Sequence, residues 1–139
     1  MKVAHIHYSK DYFINKNVVD VDCVPGAMLL IDIDKFIEVG GYDERIFLYC
    51  EEDLIGYKMK QANYRTLLVT NLRYVHEHGM SINKNIKDSI AQQKLINHNK
   101  LLFMKDYLKA NNVEMCIAYI FSSINILSMK ISSMGNRHE

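Results

Sequence analysis

The residue types in this chain best suited to chemistry gather between Val24 and Ser81. Three consecutive carboxylates, Glu51, Glu52 and Asp53, open a stretch in which Ile55, Met59 and Ala62 recur at helical spacing. A His-x-His pair, His76 and His78, follows downstream. Three ionisable acids in a row are not core material, because burying an unpaired charge is costly; they are expected to face water, a metal or a cation. In the first turn of a helix they meet the positive end of its dipole, a favourable place for negative charge. An ionised carboxylate in a cleft is suited to act as a general base. The plainer reading is the acidic first turn that many helices carry for stability. The imidazoles also have two readings. At i and i+2 on a strand they point to one side and suit a divalent metal, or they are ordinary polar residues at an edge.

Elements that could position these groups can be read around them. Pro25-Gly26 is a turn signal, and the run Ala27 to Ile33 (AMLLIDI) reads as a buried strand. Asp32 and Asp34 offer N-caps for a short helix, DKFIEV, that stops at Gly40-Gly41. The helix EEDLIGYKMKQANY follows, with Asn63 as its C-terminal cap. Arg65 to Val69 and Arg73 to His76 read as short strands separated by a Thr70-Asn71 turn, which places His76 at a strand end. The first ~20 residues read as an irregular approach with extended character. From Ile86 to Leu108 the pattern is helical, with Ile90, Gln93 or Lys94, Asn97, Leu101, Met104 and Leu108 along one side. Asn111-Asn112 breaks it. Val113 to Ile131 is then apolar over about the length of a membrane span, but Glu114, Asn125, Lys130 and several serines interrupt it. That segment is expected to pack on the core or to lie on a membrane surface.

Composition narrows the function classes. A length of 139 residues, about half of them apolar, suits one domain with a fair core. A formal charge of +1, with Lys and Arg spread along the chain, gives no field for nucleic acid. Cys23, Cys50 and Cys116 are odd in number and far apart, so they define neither a disulfide framework nor a metal knuckle, and they fit a reducing cytoplasmic setting. The N-terminus carries no secretory signal pattern.

The order of the pieces resembles the acceptor half of family two glycosyltransferases: a PGA turn, a GGYDE loop, FLY followed by an acidic helix start, then a His at a strand end followed by Gly and Ser. The resemblance covers somewhat under half of the chain closely. It implies an α/β fold, the C-terminal half of a GT-A (nucleotide-diphospho-sugar transferase) fold over residues 1–83, followed by a helical C-terminal extension over residues 84–139. With Tyr49 as anchor, Glu52 matches the second member of the family's acidic pair and is the first candidate base. Asp53 is the second candidate, and Leu54 stands where many relatives carry a further acid. His76, with His78 as an additional ligand, matches the position beside a divalent metal, Mn²⁺ or Mg²⁺. Gly26 and Ala27 match a Gly-Ala step lining the acceptor and donor-sugar pocket. Asp43, Glu51 and Ser81 are further substrate-side candidates, and Asp43 and Glu44 are read as mainly structural.

The implied reaction is transfer of a sugar such as rhamnose, galactose or galactofuranose, with inversion, from a UDP- or dTDP-sugar to a glycan or lipid-linked acceptor in cell-surface polysaccharide synthesis. The implied setting is the cytoplasm or the inner face of the plasma membrane. In relatives a donor-binding half with an acidic DxD-type motif precedes this region. Asp20-Val-Asp22 and Asp32-Ile-Asp34 are not in that motif's place, so a missing N-terminal half or a homo-oligomer is expected to complete the unit. Two other readings use the same features: a non-catalytic module docking on a membrane or partner through the C-terminal helix, and a metal-dependent hydrolase.

Overall fold

The computed structural model describes residues 8–46, 48–75 and 88–135. The chain divides into two compact units, Met1–Glu77 and His78–Glu139. It mixes helices with a small sheet.

In the first unit, a 3-10 turn at Lys10–Phe13 gathers Tyr8, Tyr12 and Phe13 into an aromatic cluster. Strand β1 (Val18–Val21) then pairs antiparallel with β2 (Thr66–Val69), Val18 opposite Val69 and Val21 opposite Thr66. Part of the expected irregular approach is therefore a paired strand. The Thr70 N–H donates to the Asn17 carbonyl at 2.9 Å and its hydroxyl to Lys16, closing the sheet at its β2 end. On the exposed face, Arg65 grips the Asp20 carboxylate through two hydrogen bonds of 2.7 and 2.8 Å.

The run expected as a buried strand, AMLLIDI, is not one. Gly26–Met28 form a 3-10 turn, Leu29 is extended but belongs to no ladder, and Leu30 is 94% exposed. An apolar run forms a strand only where a neighbour completes its hydrogen bonds, and β2 is already paired with β1. Arg73 to Val75 likewise form no strand, and His76 lies outside the described residues.

Helix α1 (Ile33–Glu38) begins as its caps dictate: the Asp32 side chain accepts from the Asp34 and Lys35 N–H groups. Gly40 and Gly41 end it at φ values of 78° and 55°, which glycine adopts without steric cost. Helix α2 (Glu51–Gln61) buries Leu54, Ile55, Gly56 and Met59, which with Val19 and Ile46 form the core of this unit. It ends in a Schellman motif. Asn63 is left-handed at φ 62°, the Tyr64 N–H reaches the Met59 carbonyl at 2.8 Å, and the Asn63 N–H reaches Lys60 at 3.1 Å.

In the second unit, α3 (Ser89–Asp106) is capped by the Asp88 side chain, which accepts from the Ile90 N–H at 2.9 Å. α4 (Asn112–Gly135) opens with a capping box: Asn111 Oδ1 accepts from the Val113 and Glu114 N–H groups, and Glu114 Oε2 accepts from the Asn111 N–H. The two helices pack together. Asn97 Nδ2 donates to the Ser122 carbonyl at 3.4 Å, and Met115 and Asn99 are buried. Along α3 the expected side (Ile90, Gln93, Asn97, Leu101, Met104, Leu108) is half-buried, whereas Lys94 is exposed.

Candidate functional site

The acidic triplet occupies the first turn of α2, as its spacing predicts. The chain enters that turn through three left-handed residues, Leu48, Tyr49 and Cys50, at φ 59°, 72° and 70°. Each such non-glycine residue costs on the order of 1–2 kcal/mol. Cys50 occupies the N-cap position without a side-chain cap bond. This tight left-handed entry sets the direction in which Glu51, Glu52 and Asp53 leave the backbone, and strain of this kind concentrates at binding and catalytic segments.

Two of the three acids accept hydrogen bonds from uncharged donors. Glu52 Oε1 accepts the Gly26 N–H at 2.9 Å. A Cβ at Gly26 would sit on that same oxygen, so glycine is what allows Glu52 to reach the turn. Asp53 Oδ1 accepts from the Cys23 thiol at 3.3 Å. Burial, then the Asp53 hydrogen bond and charge, push the Cys23 thiol up to about 11, so it remains a protonated donor at neutral pH. Glu51 and Glu52 lie close enough to the half-shielded Tyr42 hydroxyl to raise its pKa, after desolvation, by their charge.

Beside Glu52 lies a cavity of about 270 Å³. Its lining combines the apolar side chains of Val24, Leu29, Ile55 and Met59 with the polar heads of Glu52, Lys35 and Arg65. Its walls come from the loop after β1, the buried face of α2 and the start of β2. Gly56 is in the wall because α2 presses there against the backbone of Asp22 and Cys23, and a Cβ would collide with the Asp22 carbonyl oxygen. Lys58 holds α2 to the glycine turn after α1, donating to Gly41 at 2.7 Å and Gly40 at 3.2 Å. Tyr64 ties β2's approach to α1 through Glu38 Oε2 at 2.7 Å.

A search of family models, curated proteins and solved structures finds no match to this chain.

The remaining candidates fall in different places. Ala27 is exposed in the 3-10 turn beside Gly26. Asp43 is turned inward, its side chain 10% exposed, and is engaged by Arg45 through the backbone N–H and the guanidinium, the shortest contact being 2.6 Å. That engagement suits a structural role for the GGYDE loop. His76, His78 and Ser81 lie outside the described residues. Among the described residues no group of three His, Cys, Asp or Glu side chains could hold a metal ion. Of the two DxD strings, Asp20 is held by Arg65, Asp22 by Lys60 at 2.5 Å and Tyr8 at 2.9 Å, and Asp32 by its capping role and Lys35 at 2.6 Å. Sequence reasoning passed over Cys23, Lys35, Gly56 and Arg65. Gly56 carried a signal, since an isolated glycine within a helical pattern marks a close packing contact; the pairing of Cys23 with Asp53 had none.

Proposed function

We propose that the chain carries the acceptor side of an inverting glycosyltransferase, with Glu52 as the general base. The observation that supports this most is the seat of Glu52. Its carboxylate is fixed at 2.9 Å on a backbone N–H at the edge of a cavity whose lining is part apolar and part charged. Sugars present the same alternation of apolar faces and hydroxyls. Among the described residues Glu52 makes this one hydrogen bond, leaving Oε2 to accept an acceptor hydroxyl.

In this reading the acceptor hydroxyl proton passes to Glu52 as its oxygen attacks the anomeric carbon of the donor sugar, and the nucleoside diphosphate leaves from the opposite face. Lys35 and Arg65 belong to the cavity lining and, although paired with Asp32 and Asp20, each keeps further N–H donors that suit a sugar's hydroxyls. Asp53, held by Cys23, positions the helix start rather than taking the proton. A divalent metal, with His76 and His78 as its expected ligands, would stabilise charge on the departing diphosphate.

The test is a transfer assay with UDP- and dTDP-sugars, lipid-linked and oligosaccharide acceptors and Mn²⁺, on the full chain. Glu52→Gln is expected to lower turnover by ~100 to 10,000-fold, the usual worth of a general base. Asp53→Asn should cost far less. Full turnover in Glu52→Gln, in any assembly of the chain that transfers sugar, would contradict the reading.

A further inference from the structure

Helix α4 leaves a row of large aliphatic side chains on the side that does not face α3. Val113, Ile117, Ile120, Ile124, Leu127, Ile131 and Met134 are all 46–68% exposed. Their spacing alternates four and three residues without a break, which places them at consecutive d and a positions of a heptad repeat over three heptads. Every a position is isoleucine. Met115, Ser122 and Met129, at the f position opposite the seam, are sheltered together with Ala118 and Ile126 at b and c, on the side where α3 packs.

We propose that this seam is an association surface for a second copy of the chain, the two α4 helices packing knobs-into-holes with each α3 on the outside. Three features favour a second copy over a lipid bilayer. The aliphatic residues keep the unbroken two-in-seven spacing of a coiled coil, with Phe121 and Tyr119 exposed outside that stripe. It is flanked by Cys116, Ser123 and Lys130 on one side and by Glu114, Phe121 and Ser128 on the other. The back of α4 is covered by α3 instead of bearing the basic face typical of helices that lie in a membrane interface. Insertion across a bilayer would carry the exposed Lys94, Lys100 and Lys105 of α3 into hydrocarbon.

The area is also in keeping. The seven seam residues, each about half or more exposed, can supply much of the roughly 800 Å² that one partner contributes to a standard-size interface. The seam needs no partner of different sequence, because Ile and Leu knobs fill holes made by the same residues. This inference is independent of the catalytic reading.

Sedimentation equilibrium of the full 16.2 kDa chain, under reducing conditions so that Cys116 cannot cross-link, tests it directly. The expected result is concentration-dependent association to twice the monomer mass, lost in Ile124→Lys and kept in Ser132→Lys. Both sites are exposed, so unchanged far-ultraviolet circular dichroism checks that the helices persist. A monomer at every concentration, or association that survives Ile124→Lys, would overturn the proposal. Flotation of a monomeric chain with phosphatidylcholine and phosphatidylglycerol vesicles would overturn it in favour of lipid.

Discussion

Glu52 and Asp53 are adjacent on one helical turn, yet their donors differ in kind: a peptide N–H for the first and a thiol for the second. The peptide is fixed by the turn at Pro25-Gly26, so Glu52 is held by backbone at the cavity lining. The thiol is the more informative probe of the arrangement, because its protonation reports on Asp53. With its pKa pushed up to about 11, Cys23 is thiolate to on the order of one part in a thousand at pH 8 and should alkylate slowly. Replacing Asp53 by Asn removes the charge and leaves only a neutral, weaker carbonyl acceptor. Burial, the larger cause of the shift, remains, so only part of the reactivity should return. Iodoacetamide labelling at pH 8, read by mass spectrometry, is expected to rise several-fold at Cys23 in Asp53→Asn. An unchanged rate would mean that the thiol and the carboxylate do not interact.

At the scale of elements, β1, β2 and α2 are joined by ion pairs whose acids are all held ionised by a partner. The Arg65 guanidinium holds the Asp20 carboxyl below the usual range, and the Lys60 ammonium does the same for Asp22. A depressed carboxylate contributes stability that is complete above its unfolded pKa, near 3.9, and is lost as pH falls through the lower folded value. The thermal midpoint should therefore be level on account of these groups from about pH 5 to 7 and should fall below about pH 4. In Arg65→Ala the acid limb should be shallower, since Asp20 no longer has a reason to prefer the charged form. A limb as steep as that of the unsubstituted chain would show that the exposed pair contributes nothing, the usual fate of surface ion pairs.

The same elements mark how far the sequence could be read. Asp32, the glycine pair and Asn63 acted as punctuation because caps are local: each depends on residues within one turn. Strands depend on partners far along the chain. Val18–Val21 carries Asp20, with Asp22 just beyond it, and reads as irregular until Thr66–Val69 is known to lie beside it, whereas AMLLIDI has the stronger local strand pattern and finds no ladder. The acidic helix start was legible at Glu51–Asp53, but the approach through three left-handed residues and the contacts to Gly26 and Cys23 were not. They arise from how α2 docks on the loop after β1.

For the whole molecule, two surfaces carry the account: the Glu52 cavity of the first unit and the aliphatic seam of the second. The cavity's claim is chemical, that it receives a saccharide hydroxyl at Glu52. Saturation-transfer NMR on the full chain with a panel of hexoses, deoxyhexoses and short oligosaccharides tests it without requiring turnover. Transfer to at least one saccharide is expected, strongly reduced in Gly26→Ala, where the new methyl group displaces the Glu52 carboxylate, and unchanged in Ser132→Lys. Absence of transfer to every saccharide, or equal transfer in Gly26→Ala, would contradict an acceptor site at Glu52.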